Sequence, residues 1–269
     1  MLRTRVISAI VLVLVLGALL YFGGLLWWVL LLFISILAYH EYCRAAMKKE
    51  GEDYSSGLPE ILGVFCIIAY YAVLLLSPKG ENLLGVIMVS VLLFLAGFVA
   101  FYPRYDLIPV IEASFGILYA PVMLSFLFPL RTGEKGIRGI LLVVVSSWIS
   151  DTFAYFTGRL FGRHKLSPLL SPGKSVEGAI GGVIFAALFG WLLALVTSEP
   201  PAFFALTAAF GAVISQMGDL FASGIKRAKG IKDFGNVIPG HGGILDRFDS
   251  VIMVSPVIYV MLSFFKDRI

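Results

Sequence analysis

Continuous apolar runs separated by short polar connections dominate the chain, and each is about 20 residues long, the length a helix needs to cross a hydrocarbon core. They fall at residues 5–22, 25–43, 59–77, 82–101, 107–130, 137–158, 176–198, 201–223 and 250–265, which predicts about nine transmembrane helices. The runs do not alternate apolar with polar, so the period-two signature of a transmembrane β-barrel is missing. Only Gly23 and Gly24 part the first two runs, which makes that turn the loosest boundary. Arg3 and Arg5 ahead of an apolar run look like a secretory leader, but no small-residue cleavage site follows and further spans come after, so an uncleaved first span is expected. The predicted fold class is all-α, a polytopic membrane helix bundle. It divides into an N-terminal frame of about five spans (1–130) and a C-terminal region of about four spans (131–269) that carries the polar chemistry.

Composition narrows the class. A chain that is 59% hydrophobic and 14% charged is too apolar for a soluble domain. The net charge of +4 is modest, and the basic residues sit beside spans, where they attract headgroups or phosphates and do not suggest nucleic acid. With nine spans, the N-terminal side would hold Arg3, Arg5, Arg44, Lys48, Lys49, Arg104, Arg159, Arg163, Lys165, Lys174, Lys226, Arg227, Lys229, Lys232 and Arg247, most of the 21 basic residues. The positive-inside rule then predicts a cytoplasmic N-terminus in the cytoplasmic membrane, with the C-terminus outside. Cys43 and Cys66 are too few for a disulfide framework or a thiolate metal site.

Three long connections face the predicted cytoplasmic side. Residues 44–58 are of mixed charge and read as a solvated connector. The connection 159–175 contains Ser171-Pro172-Gly173-Lys174-Ser175, with Glu177 just beyond. Ser175 can cap the next helix while Lys174 brings a point charge to the same spot, the chemistry of a phosphate-binding helix start, although a capped helix after Pro-Gly is also an ordinary structural device. The third, Ser223–Asp249, is the most polar stretch of the chain. It holds Lys226, Arg227, Lys229, Lys232, Asp233, His241, Asp246, Arg247 and Asp249, among glycines that permit close backbone approach. His241 fits a phosphate donor, a general acid or a turn residue.

Glu112, Asp151 and Asp219 stand out as carboxylates inside or at the rim of spans. An acid at membrane depth costs about 2.5 kcal/mol or more, so it faces the interior and has a partner. Asp151 and Asp219 each precede an arginine (Arg159, Arg227) by eight residues, about 12 Å along a helix, so both sit at similar depth and suggest one shared polar cavity. Glu112 has no motif around it and reads as a structural hydrogen-bonding group. Asp219, Ser223, Lys226 and Arg227 share one face if their helix continues past the membrane edge, and Asp246 and Asp249 share another at the start of the last helix. Carboxylates from two helices can meet around a hard divalent cation such as Mg²⁺; equally, Asp246 and Asp249 are ordinary acids at a helix N-terminus.

The pattern Ser223-x-Ile225-Lys226-Arg227-x4-Lys232-Asp233-x-Gly235-x2-Ile238-Pro239-x-His241-Gly242-Gly243-Ile244-x-Asp246-Arg247-Phe248-Asp249 resembles that of the phosphatidate cytidylyltransferases, the CDP-diacylglycerol synthases. The segment SPGKSVEG, residues 171–178, is similar to that family's second motif, with Gly173 where a further basic residue often stands. The resemblance is strong over the C-terminal half, and residues 1–130 match only as a hydrophobic frame. It implies that CTP and phosphatidic acid give CDP-diacylglycerol and pyrophosphate with a divalent cation, Mg²⁺ or another, leaving room for a second, monovalent cation.

On that reading Asp219 and Asp246 ligate the metal with Asp249 as a third ligand or support. Lys226, Arg227, Lys232 and Arg247 hold phosphates, with Ser223 and His241 nearby. Lys174 and Ser175 add a phosphate contact, and Asp151 holds a cation or orients a base. The site would face the cytoplasm, and a homodimer is expected of such a protein, with no interface residues to name. The alternative from another class is a membrane metal-ion transporter using Asp151 and Asp219 as its path; against it, the acids cluster in one half of the membrane beside a basic loop.

Overall fold

The computed structural model describes residues 11, 14–47, 57–77, 80, 82–238 and 242–264. Among these, eight helices are long and apolar enough to cross a membrane. They are α1 (Gly24–Met47), α2 (Leu58–Leu76), α3 (Leu83–Phe101), α4 (Leu107–Thr132), α5 (Ile137–Phe161), α6 (Val176–Thr197), α7 (Pro201–Ala228) and α8 (Leu245–Phe264). The protein is therefore an all-α polytopic membrane protein. The predicted first span, 5–22, lies partly outside the described residues; its helical end, 14–22, is broken from α1 by Gly23 at φ 64°, a left-handed conformation that glycine tolerates. The remaining spans fall where the hydropathy placed them. Several run further than predicted, among them α1 to Met47, α5 to Phe161, α7 to Ala228 and α8, which begins at Leu245, because helical hydrogen bonding continues past the apolar run.

The chain forms two compact units. The first comprises the residues up to Ser125 together with Lys229–Arg247, and the second Phe126–Ala228 with Phe248–Ile269. The polar stretch that reads as one segment in the sequence is thus shared, its middle folding with the N-terminal helices.

In the first unit, α1, α2 and the start of α4 bury Leu31, Tyr39, Ile67, Tyr71 and Tyr119. Polar atoms inside a membrane need partners from the protein. The Tyr71 hydroxyl lies 2.6 Å from Ser35 Oγ and donates to the Pro121 carbonyl at 3.3 Å, while Trp28 Nε1 donates to the Tyr71 carbonyl at 2.9 Å. Of α3, only Ser90 and Phe94 are buried, as expected of a helix apolar on all sides.

In the second unit, α6 packs closely on α5 and α7 through small residues. A Cβ on Gly190 would stand 2.7 Å from the Phe204 carbonyl, and Phe153 stacks on Phe185 with centroids 4.1 Å apart. A π-helical turn, Val145–Ile149, interrupts α5 just ahead of Asp151; such turns often occur at functional sites. Glu199, beyond the C-terminus of α6, receives Lys135 and Arg138 at 2.5 Å each. The connection 159–175, read from sequence as a loop, contains an antiparallel hairpin: β1 (Lys165–Ser167) pairs with β2 (Ser171–Ser175), and Lys165 Nζ donates to the Pro172 carbonyl at 2.8 Å.

Candidate active site

The second unit encloses a cavity of about 580 Å³ between the ends of α5 and α7, the hairpin and the start of α6. Four of the residues expected from sequence line it: Asp151, Lys174, Ser175 and Asp219. Ser175 ends β2 and caps α6, its hydroxyl accepting from the Gly178 amide at 3.1 Å. Glu177, in the first turn of α6, accepts from the Arg163 amide at 3.0 Å and the His164 amide at 3.2 Å, and pairs with the His164 ring at 2.6 Å. The hairpin is thereby held to the helix whose first turn, through Gly178 and Ala179, lines the cavity. Lys174, carried by β2, forms an ion pair with Asp219.

Because α7 continues to Ala228, the polar face predicted for its last turns is present as one helical stripe. Ser223 is buried and its hydroxyl lies 3.4 Å from Asp219 Oδ1, one turn away. Lys226 is half-buried and Arg227 exposed. Asp249, on α8, is buried within electrostatic reach of Asp219, Lys226 and Asp151. Ser250 connects two of these acids. Its hydroxyl lies 3.4 Å from both Asp151 Oδ2 and Asp249 Oδ1, and its amide donates to Asp249 Oδ1 at 2.7 Å. Asp151, Asp219, Asp249, Lys174, Ser175, Ser223 and Lys226 therefore belong to one neighbourhood of a single unit. Among the described residues, no group of three or more His, Cys, Asp or Glu side chains is drawn together closely enough to hold a metal ion.

Lys232, Asp246 and Arg247 fold with the first unit. Lys232 and Arg247 are exposed, while half-buried Asp246 accepts from the amides of Phe234 at 2.8 Å and Gly243 at 3.0 Å, pinning both sides of the loop. His241 lies outside the described residues. Lys229 ties the start of this segment to the helices, donating to Glu112 Oε1 at 2.7 Å and to the Ala46 carbonyl at 2.6 Å, which gives Glu112 the structural partner expected of it.

Sequence reasoning missed several residues. It named three carboxylates in or at the spans, but Glu41 and Glu60 are also buried there. Glu60 pairs with His40 at 2.5 Å. Glu41 accepts from the Ile244 amide at 3.0 Å and the Leu245 amide at 2.7 Å, the free donors at the start of α8. Gly235 and Gly243 make room for it: a Cβ at either would come within 2.4 Å of its carboxylate. The available signal was an acid placed between Tyr39 and Tyr42 at the end of an apolar run, which reads as the start of a polar connection. Arg159 and Gln216 also line the cavity. Arg159 donates to the Tyr155 hydroxyl at 3.3 Å and Gln216 to the Ala179 carbonyl at 3.0 Å.

A cavity lined by lysine, arginine, a capped helix start and acids, inside a membrane protein, is built for a phosphate-bearing ligand. Residues 3–265 match the cytidylyltransferase family. The chain belongs to that family. It is 33% identical to the phosphatidate cytidylyltransferase of Staphylococcus epidermidis across 97% of this chain and 98% of that protein. Its identity to the enzyme of the same name from Bacillus subtilis is 30% across 98% of each chain. With the one from Thermotoga maritima it shares 40% over 157 residues, 56% of this chain and 58% of that protein. The match runs through both units, so the N-terminal helices belong to the family pattern as much as the motif-bearing half does.

Proposed function

We propose that the protein transfers the cytidylyl group of CTP to phosphatidic acid, releasing pyrophosphate, at the cytoplasmic face of the membrane. The observation that carries this reading is the cavity, which Lys174, Ser175 and Arg159 line together with Asp151 and Asp219. A volume of about 580 Å³ is within the range of small-ligand sites. The family membership and the names of the full-length relatives support the substrates. The excess of basic residues on one side of the spans supports the orientation.

In the reaction an oxygen of the lipid phosphate forms a bond to the α-phosphorus of CTP while the bond from that phosphorus to the bridging oxygen breaks, and pyrophosphate leaves with the electron pair. A phosphate monoester is already a competent nucleophile near neutral pH, so the protein's task is to bring two anions together and hold them in line. Lys174 and the N-terminal amides of α6 bind phosphate oxygens at the hairpin, and Lys226 and Arg227 do so from the end of α7. The resemblance assigns Lys232, His241 and Arg247 to phosphate binding as well. Ser223 orients Asp219, and Ser250 holds Asp151 and Asp249 in fixed relation.

The carboxylates are of the kind a hard divalent cation such as Mg²⁺ takes: Asp151, Asp219 and Asp249 share one neighbourhood, though among the described residues they are not drawn together as a closed ligand set. Asp219 and Asp249 would hold the cation, and it would supply charge neutralisation of the triphosphate, while Asp246, which the resemblance also assigns to the metal, spends its carboxylate on the Phe234 and Gly243 amides.

The test is incorporation of labelled CTP into a chloroform-soluble product by the purified protein, given phosphatidic acid and Mg²⁺. Product formation supports the reading; none from folded protein sinks it. Cation uptake into proteoliposomes without CTP would instead revive a transporter.

A further inference from the structure

We propose that the β1–β2 hairpin is a lipid-facing lip of the cavity: its tip, Leu169, sits in the membrane interface and its basic flank gathers anionic phospholipid at the cavity mouth. The inference deepens the functional reading above and takes its lipid substrate from it. Leu169 is 89% exposed, although it belongs to no span. The adjacent end of α5 adds Leu160 at 73% and Phe161 at 66%. The hairpin joins the end of one membrane helix, Phe161, to the start of another, Val176, so it stands at the membrane–water boundary by covalent connection alone.

The tip's projection is set by packing. Leu170 turns inward, 3.7 Å from where a Cβ of Gly224 on α7 would lie. Lys165 is bonded across the hairpin to the Pro172 carbonyl, and Glu177 clamps its base through the Arg163 and His164 amides. A side chain held outward on a braced turn has no route into the protein core; the interface is where an apolar group beside cationic ones is stable.

The charges fit the same partner. Arg163 and Lys165, on the arm of the connection that leads to the apolar tip, are exposed, and cations beside an apolar group are the combination that binds an anionic leaflet. The other side of the hairpin, through Leu166, Ser171, Gly173 and Lys174, lines the cavity. One element therefore touches lipid on its outer side and the phosphate site on its inner side, so a headgroup drawn to the basic flank is already next to Lys174.

The experiment has two arms. A spin label at Leu169→Cys in proteoliposomes, where Cys43 and Cys66 are buried and shielded from labelling, reports depth by its relative accessibility to oxygen and to a water-soluble nickel chelate. Oxygen-favoured relaxation is expected; a label as open to the chelate as free label in water overturns the proposal. In the second arm Leu169→Asp raises the KM for phosphatidic acid in vesicles by about fivefold or more, with kcat and the KM for CTP unchanged, while Leu169→Phe keeps the wild-type value. An unaltered lipid KM in the aspartate variant, or an equal rise in the CTP KM, refutes the lip. If the unaltered protein makes no lipid product at all, the functional reading fails, and the depth measurement still decides the placement of the tip.

Discussion

Glu41 offers the sharpest perturbation. It is buried on α1 and is 203 residues away in sequence from the Ile244 amide it accepts, so it fixes one end of the loop that carries Lys232, Asp246 and Arg247. Each buried amide left without an acceptor costs about 1–3 kcal/mol. Glu41→Gln keeps one carbonyl oxygen and turns an NH₂ toward the second amide, so it should cost about 1–3 kcal/mol; Glu41→Ala abandons both amides and should cost about 2–6 kcal/mol. With the placed loop as the competent state, each 1.4 kcal/mol taken from it lowers the ratio of placed to displaced loop about tenfold, and turnover falls by up to that factor. Turnover of the glutamine variant is therefore expected to fall by between several-fold and about 100-fold. The assay pairs labelled-CTP incorporation with melting followed by tryptophan fluorescence and hydrogen exchange at Ile244 and Leu245. Glu199→Gln is the comparison, a buried acid paired with Lys135 and Arg138 and away from the cavity lining, which should lower melting without altering the KM for CTP. Wild-type turnover and protection in Glu41→Gln would refute the positioning role, as would a profile no different from that of Glu199→Gln.

Gly243→Ala should reproduce the Glu41 phenotype from the opposite side, because its Cβ would stand 2.4 Å from Glu41 Oε2; hydrogen exchange at Leu245 faster than in the unaltered protein is the readout, and unchanged exchange would contradict it. Ser175→Ala should destabilise by about 0.5–2 kcal/mol through loss of the α6 cap, measurable in thermal melts, with Ser175→Asp recovering most of it. Lys174→Ala should raise the KM for CTP or for phosphatidic acid by about tenfold or more, the scale of one charge-assisted bond, and unaltered values for both would remove the hairpin from the site. Asp219→Asn should shift half-maximal activity to higher Mg²⁺ while leaving the protein folded; an unmoved Mg²⁺ titration would exclude it as a ligand.

Much of this protein was legible before any coordinates. Hydropathy placed the spans because a bilayer imposes one length on every helix. The Ser175 cap, the polar stripe on α7 and the two acids at the head of α8 followed from local periodicity, which depends on residues only a few positions apart. The residues that tertiary structure alone revealed are those whose partners are remote in sequence. Glu41 sits in an apolar run, and nothing near it announces two amides two hundred positions away. Asp249 joins Asp151 through Ser250, whereas Asp246, its neighbour by one helical turn, spends its carboxylate on the Phe234 and Gly243 amides. Spacing made those two acids equivalent; packing separated them, because a carboxylate's role is set by which donors and charges reach it in space.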